Sequence, residues 1–131
     1  MKPLLFISVA LLAACAPAST GPAINPVLTK MIGTWQGKDS ADGSTVTLTI
    51  AAGSGLRLNL SATDDATQGW CGVAATGSAA GELNARNELP VDVLWTCNDT
   101  SKPSQTYSTV IVYGAASDTI TAYGSAYRRL K

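Results

Sequence analysis

Few side chains in this sequence could do covalent or acid–base chemistry. They are three cysteines, Cys15, Cys71 and Cys97, and nine carboxylates, and histidine is absent from all 131 residues. A Ser-His-Asp or Cys-His nucleophile therefore cannot form, and neither can a zinc or haem site that needs a histidine ligand. Carboxylate-pair chemistry is not excluded, because it needs only two acids.

The carboxylates are scattered and include one adjacent pair, Asp64 and Asp65. Two acids can act together in catalysis when their environments hold their pKa values apart. This pair stands in a polar stretch, residues 61–69, whose composition is typical of a solvated loop. We therefore expect a protein that is not an enzyme, with no catalytic residue, no metal site and no cofactor.

Charge is balanced and sparse. Nine Lys and Arg residues face nine Asp and Glu residues, and only 14% of the chain is charged. Such a chain has no electrostatic footprint for nucleic acid. It also lacks a polybasic segment that would add to binding of lipid headgroups. Nucleic acid is thus excluded as an expected partner.

The first residues predict export. Lys2 precedes an apolar run of about nine residues, far shorter than the roughly 20 that cross a hydrocarbon core, so the run is typical of a signal segment. It ends in Leu12-Ala13-Ala14-Cys15, which resembles the lipobox of bacterial lipoproteins. In that family the cysteine thiol is joined to a diacylglycerol and the preceding segment is removed. The resemblance implies a signal peptide over residues 1–14 and a bilayer anchor on Cys15.

The residues after the anchor predict which membrane holds the protein and how the domain is tethered to it. In lipoproteins of this kind an aspartate directly after the cysteine retains the protein in the inner membrane, so Ala16 implies the outer membrane, facing the periplasm. Ordinary secretion, with cleavage after Ala16 or Ala18, is the alternative. Residues 15–29 then form the lipidated cysteine and a flexible tether, with one helical turn at Val27–Ile32. Residues 30–131 form a single domain.

With Cys15 acylated, Cys71 and Cys97 remain as a pair in an oxidising compartment, where a disulfide is expected. Each falls on the apolar face of its predicted strand, as a buried bridge requires. Closing a loop of about 27 residues contributes roughly 3 to 4 kcal/mol in the chain-entropy model. Two buried free thiols or a two-thiolate metal site are the alternatives.

Period-two hydrophobicity after Gly33 indicates strands. Val46, Leu48 and Ile50 alternate with threonines, and a second alternating run follows after a glycine-containing turn, as in a hairpin. Turn formers at residues 77–81 and at Leu89-Pro90 separate later strands. The predicted strands are 34–38, 45–50, 56–60, 70–76, 82–88, 91–97, 106–113 and 119–127. Eight short strands with short connections predict an all-β, antiparallel up-and-down barrel, since closure removes unpaired edges.

The ends of this strand series carry a second resemblance. Gly33-Thr34-Trp35, together with Arg128 and Arg129 near the end of the last strand, resembles the lipocalin and calycin pattern. In that family the tryptophan closes one end of the barrel and an arginine of the last strand packs across its ring. The resemblance implies that Gly33, Trp35 and one of Arg128 and Arg129 close the barrel. Avidins begin similarly, and small periplasmic inhibitors of proteases and lysozymes are barrels of this length.

Two functions follow as hypotheses. The first is a non-enzymatic module that contacts another envelope protein or a hydrolase, as an inhibitor or adaptor would, through residues 98–105. The alternative is a lipocalin-like carrier or sensor of a small apolar ligand. Its candidate binding residues, at the barrel mouth, are Trp70, Trp95, Tyr107 and Tyr113. An eight-stranded barrel is just wide enough to be filled by side chains or to hold one small ligand, and the short strands favour a filled interior.

Overall fold

A computed structural model describes residues 24–65 and 70–131. Its elements are α1 (Pro26–Met31), β1 (Gly33–Lys38), β2 (Thr45–Ala52), β3 (Arg57–Asp64), β4 (Ala75–Glu82), β5 (Glu88–Cys97), β6 (Gln105–Gly114), β7 (Thr119–Ala122) and β8 (Ser125–Arg129). The strands pair in chain order and close into a barrel, with every pairing antiparallel. The predicted all-β, up-and-down barrel is therefore confirmed. The signal segment 1–14, Cys15 and the tether as far as residue 23 lie outside the described residues.

Strand alternation builds the core. In β3, Leu58, Leu60 and Ala62 are buried while the residues between them are exposed. Inward side chains of the other strands meet them in one hydrophobic cluster, and the largest of these is Trp35, fully buried in β1. None of the helices in the described part of the chain is long and apolar enough to cross a bilayer.

The short helix α1 packs against one end of the barrel. The Asn25 side chain accepts a hydrogen bond from the Val27 amide at 2.9 Å, and Pro26 occupies the first turn, where its missing N–H is not needed. Leu28 and Met31 are buried in the barrel core. The predicted helical turn is thus present, and the last residues assigned to the tether belong to the packed fold.

The boundaries predicted around β4 are wrong. The sequence pattern predicts strands at 70–76 and 82–88 with a turn at 77–81 between them. The structure instead has one strand, Ala75–Glu82, running through the supposed turn, and residues 83–87 form the connection to β5. The predicted break at Leu89-Pro90 is wrong too, because β5 begins at Glu88.

The glycines of β4 are positions of close packing. A Cβ on Gly77 would lie 2.9 Å from Val93 Cγ1 and 3.0 Å from the Trp95 ring. A Cβ on Gly81 would lie 2.5 Å from the carbonyl oxygen of Pro90. The missing side chains let β5 and its bulky residues approach β4, and composition alone does not distinguish this use of glycine from a turn.

The last predicted strand, 119–127, is two strands, β7 and β8. They are joined by Tyr123 and Gly124, whose φ angles are 50° and 73°, the conformation of a two-residue type I′ hairpin turn. Tyrosine rarely occupies such a turn, so the sequence pattern does not predict a turn within 119–127. The strand gained here offsets the strand lost at 82–88, and the predicted count of eight is confirmed.

Candidate functional site

One end of the barrel is closed around Trp35. Its indole Nε1 donates to the carbonyl oxygen of Met31 at 2.9 Å, joining β1 to α1. The guanidinium of Arg129 lies 4.0 Å from the centre of the indole ring, and its Nη1 donates to the carbonyl oxygen of Ile32 at 2.8 Å. Arg129 is therefore the arginine that packs on the tryptophan, while Arg128 is exposed. We call this the closed end.

Three further residues complete the closed end. Asp118 pairs with Arg129 Nε at 3.1 Å, and this hydrogen bond lowers the pKa of Asp118. Gly33 has φ 142°, and a Cβ on it would lie 2.5 Å from Arg129 Nη1. The ring of Tyr113 meets Trp35 edge to face at 6.2 Å. Tyr113 is one of the four residues predicted to line the ligand mouth, and it lies at the closed end instead.

The opposite end contains a cavity of about 300 Å³, at the lower limit of the usual range for ligand pockets. We call it the mouth. Its lining consists of five aromatic residues, three carboxylates and three small or apolar residues: Trp70, Trp95, Tyr107, Tyr123, Tyr127, Asp39, Asp42, Asp64, Ala41, Val46 and Ala75. The barrel interior is thus filled on the Trp35 side and open here.

The aromatic residues of the mouth are linked to one another. Trp70 and Tyr107 meet edge to face with ring centres 6.5 Å apart. Trp95 Nε1 donates to the Tyr123 hydroxyl at 3.4 Å, and that hydroxyl lies 3.4 Å from the Tyr107 carbonyl oxygen, to which it donates. Three of the four residues predicted to line the mouth, Trp70, Trp95 and Tyr107, are therefore brought together.

The predicted disulfide between Cys71 and Cys97 is present, with Cα atoms 5.5 Å apart. Both half-cystines are buried and form a small cluster with Ala75, against which Trp70 and Trp95 pack. Cys97 ends β5, and Cys71 belongs to the connection between β3 and β4. The bridge therefore ties the segment carrying Trp70 to the strand carrying Trp95.

The sequence pattern missed two aromatic residues of the mouth. Tyr123 occupies the β7–β8 turn in the left-handed region, a strained conformation for a bulky residue, and its amide donates to Thr109 Oγ1 at 3.0 Å. Tyr127 points inward from β8 and is buried. Burial, reinforced by the charges of Asp39 and Asp64, raises the pKa of Tyr127 to about 12. Dividing 119–127 at its glycine would have placed Tyr127 on the inward face.

Two carboxylates of the mouth come from the β1–β2 connection. Asp39 accepts the Ala41 amide at 2.7 Å and Asp42 accepts the Ser44 amide at 2.9 Å. These local hydrogen bonds shape the loop and hold both carboxyl groups at the mouth.

The third carboxylate corrects the expectation for the Asp64–Asp65 pair. Asp64 is the last residue of β3 and is buried on its inward face, whereas Asp65 is exposed and accepts the Thr45 amide at 2.7 Å. Neither Lys nor Arg is found among the described residues that line the mouth. Across residues 24–65 and 70–131, no three His, Cys, Asp or Glu side chains group as a metal site would require. The mouth is aromatic and negatively charged.

The predicted contact loop follows the disulfide. Residues 98–104 are exposed, and the Asn98 amide donates to the Ala74 carbonyl oxygen at 2.9 Å. On the outer face of the same β5–β6 hairpin, Leu94, Val110 and Val112 are 47%, 47% and 38% exposed.

Comparison of the chain with protein-family models, with curated proteins and with solved structures finds no match.

Proposed function

We propose that this chain is a lipid-anchored envelope protein whose barrel holds a small apolar molecule in its mouth. The observation that carries the proposal is the cavity of about 300 Å³ at one end of a barrel whose other end is closed by Trp35 and Arg129. Of the two functions suggested by the sequence, the carrier or sensor is the one that this cavity supports.

The lining suits an apolar ligand of modest size. Flat aromatic side chains bury a large area against a ligand, at about 25 cal/mol for each Å² of apolar surface removed from water. The cavity is small compared with many ligand pockets, so one or two rings with a short side chain would fill it. The Cys71–Cys97 bridge restrains the wall that carries Trp70 and Trp95. A restrained wall lowers the entropy lost on binding.

Substitution of a residue that lines the mouth tests whether the cavity holds a ligand. The chain would be purified from its own envelope and examined by native mass spectrometry for a co-purifying small molecule at stoichiometric yield. Trp95→Ala removes an aromatic wall and is expected to lose the molecule, whereas Tyr113→Ala removes an aromatic residue at the closed end and is expected to retain it. A chain that carries no molecule and binds none of a panel of small aromatic compounds contradicts the proposal.

The anchor is proposed from Leu12-Ala13-Ala14-Cys15, and the outer-membrane location from Ala16. Each buried CH₂ of an acyl chain contributes about 0.8 kcal/mol, so two or three chains hold a protein stably on a bilayer. Cys15→Ser is expected to move the protein from the membrane fraction to the soluble envelope fraction. A variant that remains in the membrane fraction would refute lipidation at Cys15.

A second candidate function is contact with another envelope protein, as an inhibitor or adaptor. It is favoured by the exposed apolar residues Leu94, Val110 and Val112, which lie along the outer face of the β5–β6 hairpin whose connection is the exposed loop 98–104. A photo-crosslinking residue at Val110 would give a discrete adduct in the native envelope. The same residue at Thr49, exposed on β2, is the control. Equal labelling from both positions, or none, would count against this function.

A further inference from the structure

The mouth combines two chemical properties. Five aromatic side chains form its walls, and three carboxylates, those of Asp39, Asp42 and Asp64, line the same cavity. The face of an aromatic ring attracts a cation, because its quadrupole places negative charge there. Ring faces and carboxylates therefore both favour a positive charge on a bound molecule.

Asp64 makes this preference strong. Its side chain lies on the inward face of β3 with 6% exposure, so little water screens its interaction with a neighbouring group in the cavity. A positive group in the mouth would gain from this carboxylate more than it would from one on the surface. A negative group would be repelled for the same reason.

Tyr127 also lines this cavity, and the carboxylates add to the effect of burial on its hydroxyl. The pKa of Tyr127 is raised to about 12, first by burial and then by the charges of Asp39 and Asp64. A second negative charge is therefore disfavoured at this position. No lysine or arginine stands among the described lining residues to reverse the sign.

Building on the proposed function, we infer that the ligand of the mouth is an organic cation: an aromatic or otherwise apolar body carrying an amine or ammonium group. The apolar body packs against Trp70 and Trp95, and the charged group lies within the field of the three carboxylates. This names the class of ligand and separates it from the fatty acids and neutral molecules that an uncharged barrel would take.

The inference is tested with probes of one shape and different charge. Phenethylammonium, propylbenzene and 3-phenylpropionate share a phenylethyl body and end in a cationic, a neutral and an anionic group. Binding to the purified full chain would be measured by isothermal titration calorimetry at low salt. We expect phenethylammonium to bind about tenfold more tightly than propylbenzene, and phenylpropionate to bind most weakly.

The result separates the inference from the function on which it rests. Binding of propylbenzene as tight as or tighter than that of phenethylammonium overturns the inference while leaving the apolar binding site in place. Such a result is the natural one for a merely apolar cavity, since an ammonium group loses hydration on entry. If the folded chain binds none of the three probes, the proposed function fails and the inference fails with it.

Charge-neutral variants locate the effect. Asp64→Asn is expected to weaken phenethylammonium binding about three- to tenfold and to leave propylbenzene binding unchanged. Glu82→Gln removes one negative charge at the far end of β4, near the closed end, and serves as the matched control. If Asp64→Asn does not fold, Asp39→Asn in the β1–β2 connection provides the same test. Equal affinities of the Asp39 and Glu82 variants for phenethylammonium would contradict the inference.

Discussion

Arg129 stabilises the closed end of the barrel. Among the charged residues at this end, its replacement should cause the largest loss in the free energy of unfolding. Its guanidinium lies on the ring of Trp35 at 4.0 Å and donates to two carbonyl oxygens, those of Ile32 and Lys30. It also pairs with the exposed Asp118. Arg129→Ala removes all of these contacts at once and opens a gap beside Trp35.

The cost can be estimated from these contacts. A cation over an indole contributes about 0.5 to 2 kcal/mol, and a hydrogen bond from a charged donor about 1.5 to 3 kcal/mol. The guanidinium of Arg129 is partly exposed, with 28% side-chain exposure, which places these contributions near their lower limits. We expect Arg129→Ala to lower the free energy of unfolding by about 3 to 4 kcal/mol, which lowers the Tm of a domain of this size by on the order of 20 °C.

Arg128, the residue immediately before Arg129, provides a matched control. Its side chain is exposed, so Arg128→Ala should change the free energy of unfolding by no more than about 0.5 kcal/mol. Both variants would be unfolded in urea with the disulfide intact, and Arg129→Lys, which keeps the charge but loses the planar fork, should fall between them. Equal losses in the Arg128 and Arg129 variants would refute the role assigned to Arg129.

Further changes test the interior and its brace. The pKa of Tyr127 is raised from 10.0 in a free side chain to about 12 in the fold, so its contribution to stability is complete below pH 10 and is lost as the pH rises through 12. The free energy of unfolding should fall by up to about 3 kcal/mol over that window, and less in Tyr127→Phe; equal falls would contradict the assignment. Replacing Cys71 and Cys97 together with serine should cost about 3 to 4 kcal/mol in urea unfolding, and no loss would refute the bracing role. Gly77→Ala should cost about 1 to 3 kcal/mol through overpacking against β5, while Ser78→Ala, outward on the same strand, should be nearly neutral; the reverse order would show that Gly77 is not a close-packing position.

Part of the fold could be predicted because single strands show their alternation locally. Val46, Leu48 and Ile50 mark the inward face of β2 without any knowledge of the neighbouring strands. In β4 the inward positions include Gly77, whose reason for being glycine is the bulk of Trp95 on the next strand. Because this packing partner belongs to another strand, the sequence of β4 alone does not show why position 77 is a glycine.

The candidate site required more than alternation. Tyr107 and Tyr113 belong to one strand, and six residues at about 3.4 Å each separate them by about 20 Å, so they lie near opposite ends of the barrel. Alternation indicates which face a residue occupies, but the end it reaches depends on register. Asp39 and Asp42 lie in the β1–β2 connection and Asp64 lies at the end of β3, and these segments meet only when the barrel forms. No local sequence pattern therefore indicates that the three carboxylates share a cavity.

The three tryptophans provide the most direct test of the central claim, that the mouth binds a small molecule. Trp70 and Trp95 line the mouth, whereas Trp35 is buried at the closed end, so their indole N–H signals report the two ends separately. In a titration followed by ¹⁵N-resolved NMR, phenethylammonium or propylbenzene should shift the Trp70 and Trp95 signals to saturation and leave that of Trp35 in place. Signals that all stay unchanged, or that shift equally at both ends, would contradict a binding site at the mouth.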